Sequence, residues 1–164
     1  MDSVPWEKRS EAKQPISPTM VVDLRRCTGC HACSVACKVE HAVPLGEFRM
    51  RVRWMEDPVD GRMAFLPVFD AGTCDSGEGR GRFGLAPACV AACPTSALIF
   101  GDREDPNDPV IAAAQAGSPL SETGETKPGV LYIGHEAWQE EKLNAGAALH
   151  PDDEDIIYEQ GSKG

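Results

Sequence analysis

The feature that most constrains this chain is a run of four cysteines separated by two, two and three residues: Cys27, Cys30, Cys33 and Cys37. Thiolates are soft ligands that suit zinc and iron–sulfur clusters. The first three are spaced so that a short loop can wrap one cuboidal cluster, and Gly29 permits the close backbone approach that wrapping requires. The fourth begins a helix that points away, so it should reach a second cluster. A zinc knuckle fits poorly, because zinc sites usually use two Cys-x2–4-Cys pairs.

The remaining three of the seven cysteines form a second group, Cys74, Cys89 and Cys93, and Pro94 follows the last of them. Residues 32–37 (ACSVAC) and 88–93 (ACVAAC) agree in four of six positions, and each copy ends in Cys-x-x-x-Cys. A duplicated cysteine unit predicts a pseudo-twofold body with one metal site in each half.

Crossed ligation between the two halves gives the first site four thiolates. Its predicted ligands are Cys27, Cys30, Cys33 and Cys93, which would complete a [4Fe–4S] cluster. Iron is the expected metal here and at the second site, so all seven cysteines are predicted ligands.

The second site is left with three thiolates, because the sequence contains no further cysteine: Cys37, Cys74 and Cys89. Three thiolates favour a [3Fe–4S] cluster, which lacks the iron that a fourth ligand would hold. Two alternatives stay open. The site could hold a [4Fe–4S] cluster whose odd iron is bound by Asp75, Ser76 or a water, or it could hold no cluster and use its cysteines structurally.

Apolar runs and alternating patterns predict the secondary structure. Strands are expected at residues 20–24, 48–54, 63–69, 97–100 and 129–134, and helices at 34–42, 110–116 and 136–149. The strands at 48–54 and 63–69 flank a turn-rich segment, so they should form a hairpin. The buried face of the first of these strands would carry Phe48, Met50, Val52 and Trp54. Its opposite face, solvated or docked to a partner, would carry Arg49, Arg51 and Arg53.

These elements predict an α+β fold: a bacterial-ferredoxin-like, pseudo-twofold two-cluster core with a hairpin insertion and extended N- and C-terminal arms. Residues 1–19 would be the N-terminal arm, and residues 20–102 the two-cluster domain, with the hairpin insertion near 47–70. Residues 103–164 would be an acidic C-terminal extension that docks on a partner.

Charge and hydropathy narrow the function classes. The whole net charge of −10 lies in residues 101–164, which hold four basic and fourteen acidic side chains. This segment argues against nucleic acid as a partner, and it is either a solvated tail or a docking arm. No apolar run is long enough to span a membrane, and residues 1–20 contain no stretch typical of a secretory signal. The expected compartment is the cytoplasm, or the periplasm if a signal-bearing partner exports the chain.

Three stretches carry a family resemblance: residues 25–52 (RRCTGCHACSVACKVEHAVPLGEFRMRV), 87–95 (PACVAACPT) and 97–102 (ALIFGD). They resemble the iron–sulfur beta subunits of the molybdopterin oxidoreductases, which include dimethyl sulfoxide, polysulfide, thiosulfate and nitrate reductases. Members of that family typically carry four cysteine motifs and up to four clusters, whereas this chain holds the first and last motifs only. The resemblance aligns Gly77 with the second cysteine of the last motif, so the missing ligand is a substitution.

The resemblance implies an electron-transfer subunit with no catalytic residues of its own. It would relay electrons between a large catalytic subunit, carrying a molybdenum or tungsten pterin, and another redox carrier. A cytochrome or quinone-reactive membrane subunit would be a further partner. The alternatives are a free-standing ferredoxin and an iron–sulfur redox sensor. The long terminal segments favour the subunit, because such arms suit wrapping around a large partner.

Overall fold

The computed structural model describes residue 15, residues 17–120 and residues 129–144. Its elements, in chain order, are β1 (Pro18–Asp23), α1 (Ala32–Glu40), β2 (Met50–Glu56), β3 (Met63–Phe69), α2 (Glu78–Gly81), α3 (Ala88–Ala91), β4 (Leu98–Asp102), α4 (Val110–Ala116), β5 (Val130–Ile133) and α5 (Ala137–Asn144). Mixed helix and strand content with small sheets agrees with the predicted α+β class and is compatible with a small ferredoxin-like domain.

The strand β1 is the centre of a sheet that, in the described ranges, has three strands in the order β4-β1-β5. β1 runs antiparallel to β4 and parallel to β5. Its continuous apolar run suits a strand covered on both faces, and Val21 and Val22 are both fully buried. Val21 packs with Val110 of α4 and Ile133 of β5, whereas Val22 belongs to the main core.

The strands β2 and β3 pair antiparallel along their full length, which confirms the predicted hairpin. The hydroxyl of Tyr132 on β5 donates to the backbone carbonyl of Pro67 on β3 at 2.7 Å. Because both groups are buried, this bond ties the hairpin to the three-stranded sheet.

The predicted division of residues 48–54 into a buried apolar face and a solvated arginine face is wrong at both ends. Phe48, expected to be buried, is 46% exposed, and the side chain of Arg49 is 18% exposed. Arg53 is 9% exposed, whereas Trp54 is 41% exposed. Alternation within one strand cannot show what packs against each of its faces. α5 returns to this end of the hairpin, where Lys142 donates to the carbonyl of Glu56 and Leu143 joins the core.

The helices α1 and α3 carry the two copies of the cysteine repeat and pack against each other. The hydroxyl of Ser34 on α1 donates to the thioether of Met50 at 3.4 Å, which also holds α1 against the hairpin. The structure confirms the predicted strands, and it confirms the helix at 110–116. It also confirms the helix predicted at 34–42, although this helix begins two residues earlier, at Ala32. α2 and α3 were not predicted, because four residues are too few to show a helical period.

Several predictions fall outside the described ranges. They concern most of the N-terminal arm and the acidic stretches 121–128 and 145–164, so the helix predicted at 136–149 is described only as far as Asn144. Residues 110–116 and 130–133 lie against the core, because α4 and β5 both contact β1. The division into arms and a central domain stays a prediction. No helix in the described ranges is long and apolar enough to cross a membrane.

Candidate metal centres

The first predicted ligand set comes together around one cavity. Cys27 and Cys30 lie on the loop between β1 and α1, Cys33 on the first turn of α1, and Cys93 two residues beyond α3. Burial raises the pKa of Cys27, and a charge on Cys93 raises it further, so these two thiols are close although the whole hairpin separates them in sequence. Cys30 is exposed and Cys33 is buried.

Close packing fixes the loop that carries Cys27 and Cys30. Gly29 has a φ of +68°, and a Cβ at this position would overlap the ring of Phe65 on β3. The Phe65 ring contacts Trp54 edge-on, with 5.6 Å between centroids, and Trp54 lies 5.8 Å from the ring of His31. Glycine is therefore required at position 29 by both backbone conformation and space.

Burial and hydrogen bonds set the thiol chemistry of this cavity. Burial raises the pKa of Cys33 to about 11. Burial also opposes ionisation of Cys93. Hydrogen bonds from the backbone at Leu98 and Ala97 and from Thr95 outweigh this effect, so the pKa of Cys93 is lowered. The Ala97 N–H donates to the Cys93 sulfur at 3.3 Å. A thiolate at a buried position needs a positive partner, which the iron of a cluster would provide.

The second predicted ligand set lines a separate cavity of about 290 Å³. Cys37 lies near the C-terminal end of α1, Cys74 between β3 and α2, and Cys89 on the first turn of α3. Burial raises the pKa of Cys89 to about 12, and the charges of Cys37 and Cys74 contribute to the rise. The structure therefore brings together the three cysteines that the sequence grouped.

Gly77, the position at which the resemblance places a missing ligand, lines this second cavity. Its backbone is left-handed, with a φ of +75°, and so is that of Ser76, with a φ of 56°. The Gly77 N–H donates to Oδ1 of Asp75 at 2.9 Å. A Cβ on Gly77 would lie 2.9 Å from Cβ of Pro87 and would overlap its Cγ. Glycine is thus a conformational requirement of this turn as well as the site of the absent thiol.

Charged residues that the sequence analysis did not assign to a site also line the second cavity. Arg49, predicted to lie on a solvated face, has a side chain that is 18% exposed, and its Nη2 lies 3.4 Å from Oδ1 of Asp75. Burial opposes ionisation of Asp75. The Gly77 N–H and the charges of Arg49 and His41 nevertheless hold the pKa of Asp75 below its usual value. His41 also forms part of the cavity wall.

A second ion pair at this cavity joins α2 to α1. Nη1 of Arg80 lies 2.9 Å from Oε2 of Glu40, and Nε of Arg80 donates to the carbonyl of Ala86 at 2.8 Å. Sequence reasoning missed both cavity pairs, because each joins residues from separate segments whose pairing no local pattern indicates.

The donor chemistry of both cavities fits iron–sulfur clusters. All seven cysteines are free thiols gathered in two sets. Nε of Arg49 is buried and has no hydrogen-bond acceptor in the described part of the chain. Buried donors without acceptors are uncommon in native proteins, and this one belongs to a residue that lines the second cavity. Across the described ranges, no group of three or more His, Cys, Asp or Glu side chains is arranged to hold a single metal ion.

Comparison with curated proteins gives the family. No protein-family model matches this sequence. The B component of polysulfide reductase from Wolinella succinogenes is 32% identical, over 70% of this chain and 92% of its own length. The protein belongs to the iron–sulfur B subunits of the molybdopterin oxidoreductases.

Other relatives of this B subunit are longer. The B subunit of tetrathionate reductase from Salmonella typhimurium is 33% identical over 58% of this chain and 39% of its own. The B subunit of sulfite dehydrogenase from Allochromatium vinosum is 31% identical over 74% of this chain and 45% of its own. The present sequence therefore spans less than half the length of these two relatives. The family resemblance inferred from the cysteine motifs is confirmed.

Proposed function

We propose that this B subunit relays electrons between a catalytic subunit with a molybdenum or tungsten pterin and another redox carrier. The observation that carries the proposal is the position of two cysteines on one short helix. Cys33 and Cys37 lie four residues apart on α1, about 6 Å along its axis, and they line different cavities. Redox centres held by neighbouring turns of one helix would form a two-step path for single electrons.

The proposed ligand sets follow the two cavities. Cys27, Cys30, Cys33 and Cys93 would hold a [4Fe–4S] cluster. Cys37, Cys74 and Cys89 would hold a [3Fe–4S] cluster, with a second [4Fe–4S] cluster completed by Asp75, Ser76 or a water as the alternative. The α1 unit supplies Cys33 to the first cavity and Cys37 to the second. The α3 unit supplies Cys93 to the first and Cys89 to the second. This exchange supports the pseudo-twofold, ferredoxin-like core.

Each cluster, when bound, would accept and release one electron. The protein residues around it hold it and control its exposure to water, which is one of the factors that set cluster potential. The hairpin forms a wall of both cavities: Val52 and Pro67 line the first, and Met50 and Phe69 line the second.

The proposed partners follow from the names of the relatives, which are described as subunits of reductases and of a dehydrogenase. A large pterin-containing catalytic subunit is the first expected partner, and a cytochrome or quinone-reactive membrane subunit is the second. The acidic residues 103–164 would dock on such a partner. The compartment would be the cytoplasm, or the periplasm if the catalytic subunit carries an export signal.

Anaerobic affinity purification of the full chain from its native host tests this function. We expect a large pterin-containing chain to co-purify, and we expect its substrate or a chemical reductant to change the EPR signals of both centres. A monomer that exchanges electrons freely in the absence of a large partner would instead be a free ferredoxin. Loss and rebuilding of a cluster that switches partner binding would indicate a redox sensor.

A further inference from the structure

The second cavity is lined by an arginine, Arg49, that belongs to neither proposed ligand set. Arg49 precedes β2 by one residue and lines this cavity, and its Nη2 lies 3.4 Å from Oδ1 of Asp75. Its Nε is fully buried and, within the described residues, has no acceptor. The ion pair therefore satisfies one end of the guanidinium and leaves a buried donor beside the cysteines.

The nearby sulfur atoms are the chemical groups best able to satisfy that donor. Arg49 lines the same cavity as Cys37, Cys74 and Cys89, so its guanidinium belongs to the wall that holds the predicted sulfur ligands. Sulfur atoms of a bound cluster are negatively charged acceptors, and hydrogen bonds to them are among the factors that set its potential. The alternative, a donor left buried with no partner, is costly and rare.

The other cation of this cavity is already engaged. Arg80 pairs with Glu40 at 2.9 Å and donates to the carbonyl of Ala86 at 2.8 Å. The first cavity differs more sharply, because no arginine or lysine is among the described residues that line it. Among the described lining residues, an arginine with a buried donor that lacks an acceptor is thus found in the second cavity and not in the first.

We propose that Arg49 is a positioning residue of the second cluster: its Nε–H donates to a sulfur of that cluster, and its charge raises the potential of that centre relative to the same centre without it. Reduction adds negative charge to a cluster, and a partly buried cation stabilises the reduced form. Removal of Arg49 would also leave the carboxylate of Asp75 without its counter-ion, and this acts in the same direction. The proposal rests on the proposed electron-transfer function.

EPR-monitored redox titration of the anaerobically purified chain tests the role of Arg49. We expect R49Q to lower the midpoint potential of the second centre while that of the first hardly changes. The expected effect is at least tenfold in the equilibrium constant for electron exchange between the centres, which is about 59 mV for a one-electron couple. R49K keeps the charge and loses the planar donor, so its shift should be smaller.

R51Q is the matched control. Arg51 lies two residues further along and is not among the residues that line the second cavity. It lines a neighbouring cavity with Asp70, which Arg49 also borders, and its charge lowers the pKa of Asp70. We expect R51Q to shift the second centre by less than a third of the R49Q shift. Equal shifts in R49Q and R51Q, or no shift in R49Q, would overturn the assignment.

Pulsed EPR of the wild-type chain with ¹⁵N-labelled arginine gives a second readout that does not depend on variants. We expect a ¹⁵N coupling to the spin of the second centre, retained in R51Q and lost in R49K. If R49Q fails to assemble the second cluster, this coupling decides: its presence supports the proposal and its absence overturns it. If both clusters are present but no arginine coupling is observed, only the proposed role of Arg49 is refuted. No iron–sulfur signal in the wild-type chain would refute the electron-transfer function itself.

Discussion

Replacement of Gly77 by alanine measures how strongly the second cavity depends on a residue without a side chain. The left-handed backbone at Gly77, with a φ of +75°, costs other residues about 1–2 kcal/mol. Overlap of the new Cβ with Pro87 adds about 1–3 kcal/mol, the usual range for overpacking. We expect G77A to lower the free energy of unfolding by about 2–5 kcal/mol. For a chain of this size that is a fall in Tm of about 4–20 °C.

Anaerobic thermal melts followed by far-UV circular dichroism, at one scan rate and matched iron content, provide the measurement. Gly79→Ala is the control, because Gly79 lines the same cavity, its φ is not left-handed, and a Cβ there would meet nothing within 4 Å. G79A replaces a glycine in the short helix α2, so we expect it to be neutral or to stabilise by about 0.4–1 kcal/mol. Equal melting temperatures for G77A and G79A would refute the conformational argument.

Four further variants test the ligand sets and the loop that carries them. Gly77→Cys supplies a fourth thiol, so we expect one more iron per chain. The EPR signal of an oxidised three-iron cluster should be replaced by that of a reduced four-iron cluster. An unchanged signal would show that strain at this turn outweighs ligation. Cys74→Ser should abolish the second centre and leave the first, whereas Cys30→Ser should do the reverse, and loss of both centres in either variant would contradict separate sites. Gly29→Ala should cost the first cluster, since its Cβ would overlap Phe65, and iron analysis with the EPR signal of the second centre as internal control checks this.

Local pattern was enough to predict most of the elements. The apolar run of β1, the turn between β2 and β3 and the alanine-rich α4 each lie within one continuous segment. The grouping of the cysteines could also be predicted from the sequence, because the spacing in Cys-x-x-x-Cys places Cys33 and Cys37 on successive turns of one helix. These features share one property, which is that neighbours in sequence determine them.

What the sequence could not predict depends on contacts between distant segments. Trp54 is 41% exposed and Arg53 is 9% exposed, although alternation along β2 placed Trp54 on the buried face. The bond between Lys142 of α5 and Glu56, more than 80 residues apart, also joins segments that no local pattern connects. Arg49 reaches the second cavity through its contact with Asp75, and no spacing rule joins those two positions. The conformational role of Gly77 was likewise hidden, because alignment with a cysteine indicates a lost thiol and reveals nothing about φ or about Pro87.

The two proposed centres differ in the charged groups and donors that surround them. The wall of the second holds the ion pairs Arg49–Asp75 and Arg80–Glu40, and Nε of Arg49 is a buried donor with no acceptor among the described residues. The first has four thiolates and no arginine or lysine among the described residues of its wall. An added electron on the second centre should therefore be more stable with Arg49 than without it. If R49Q left the potential of the second centre unchanged, the role of Arg49 would be wrong, whereas the ligand sets would stand.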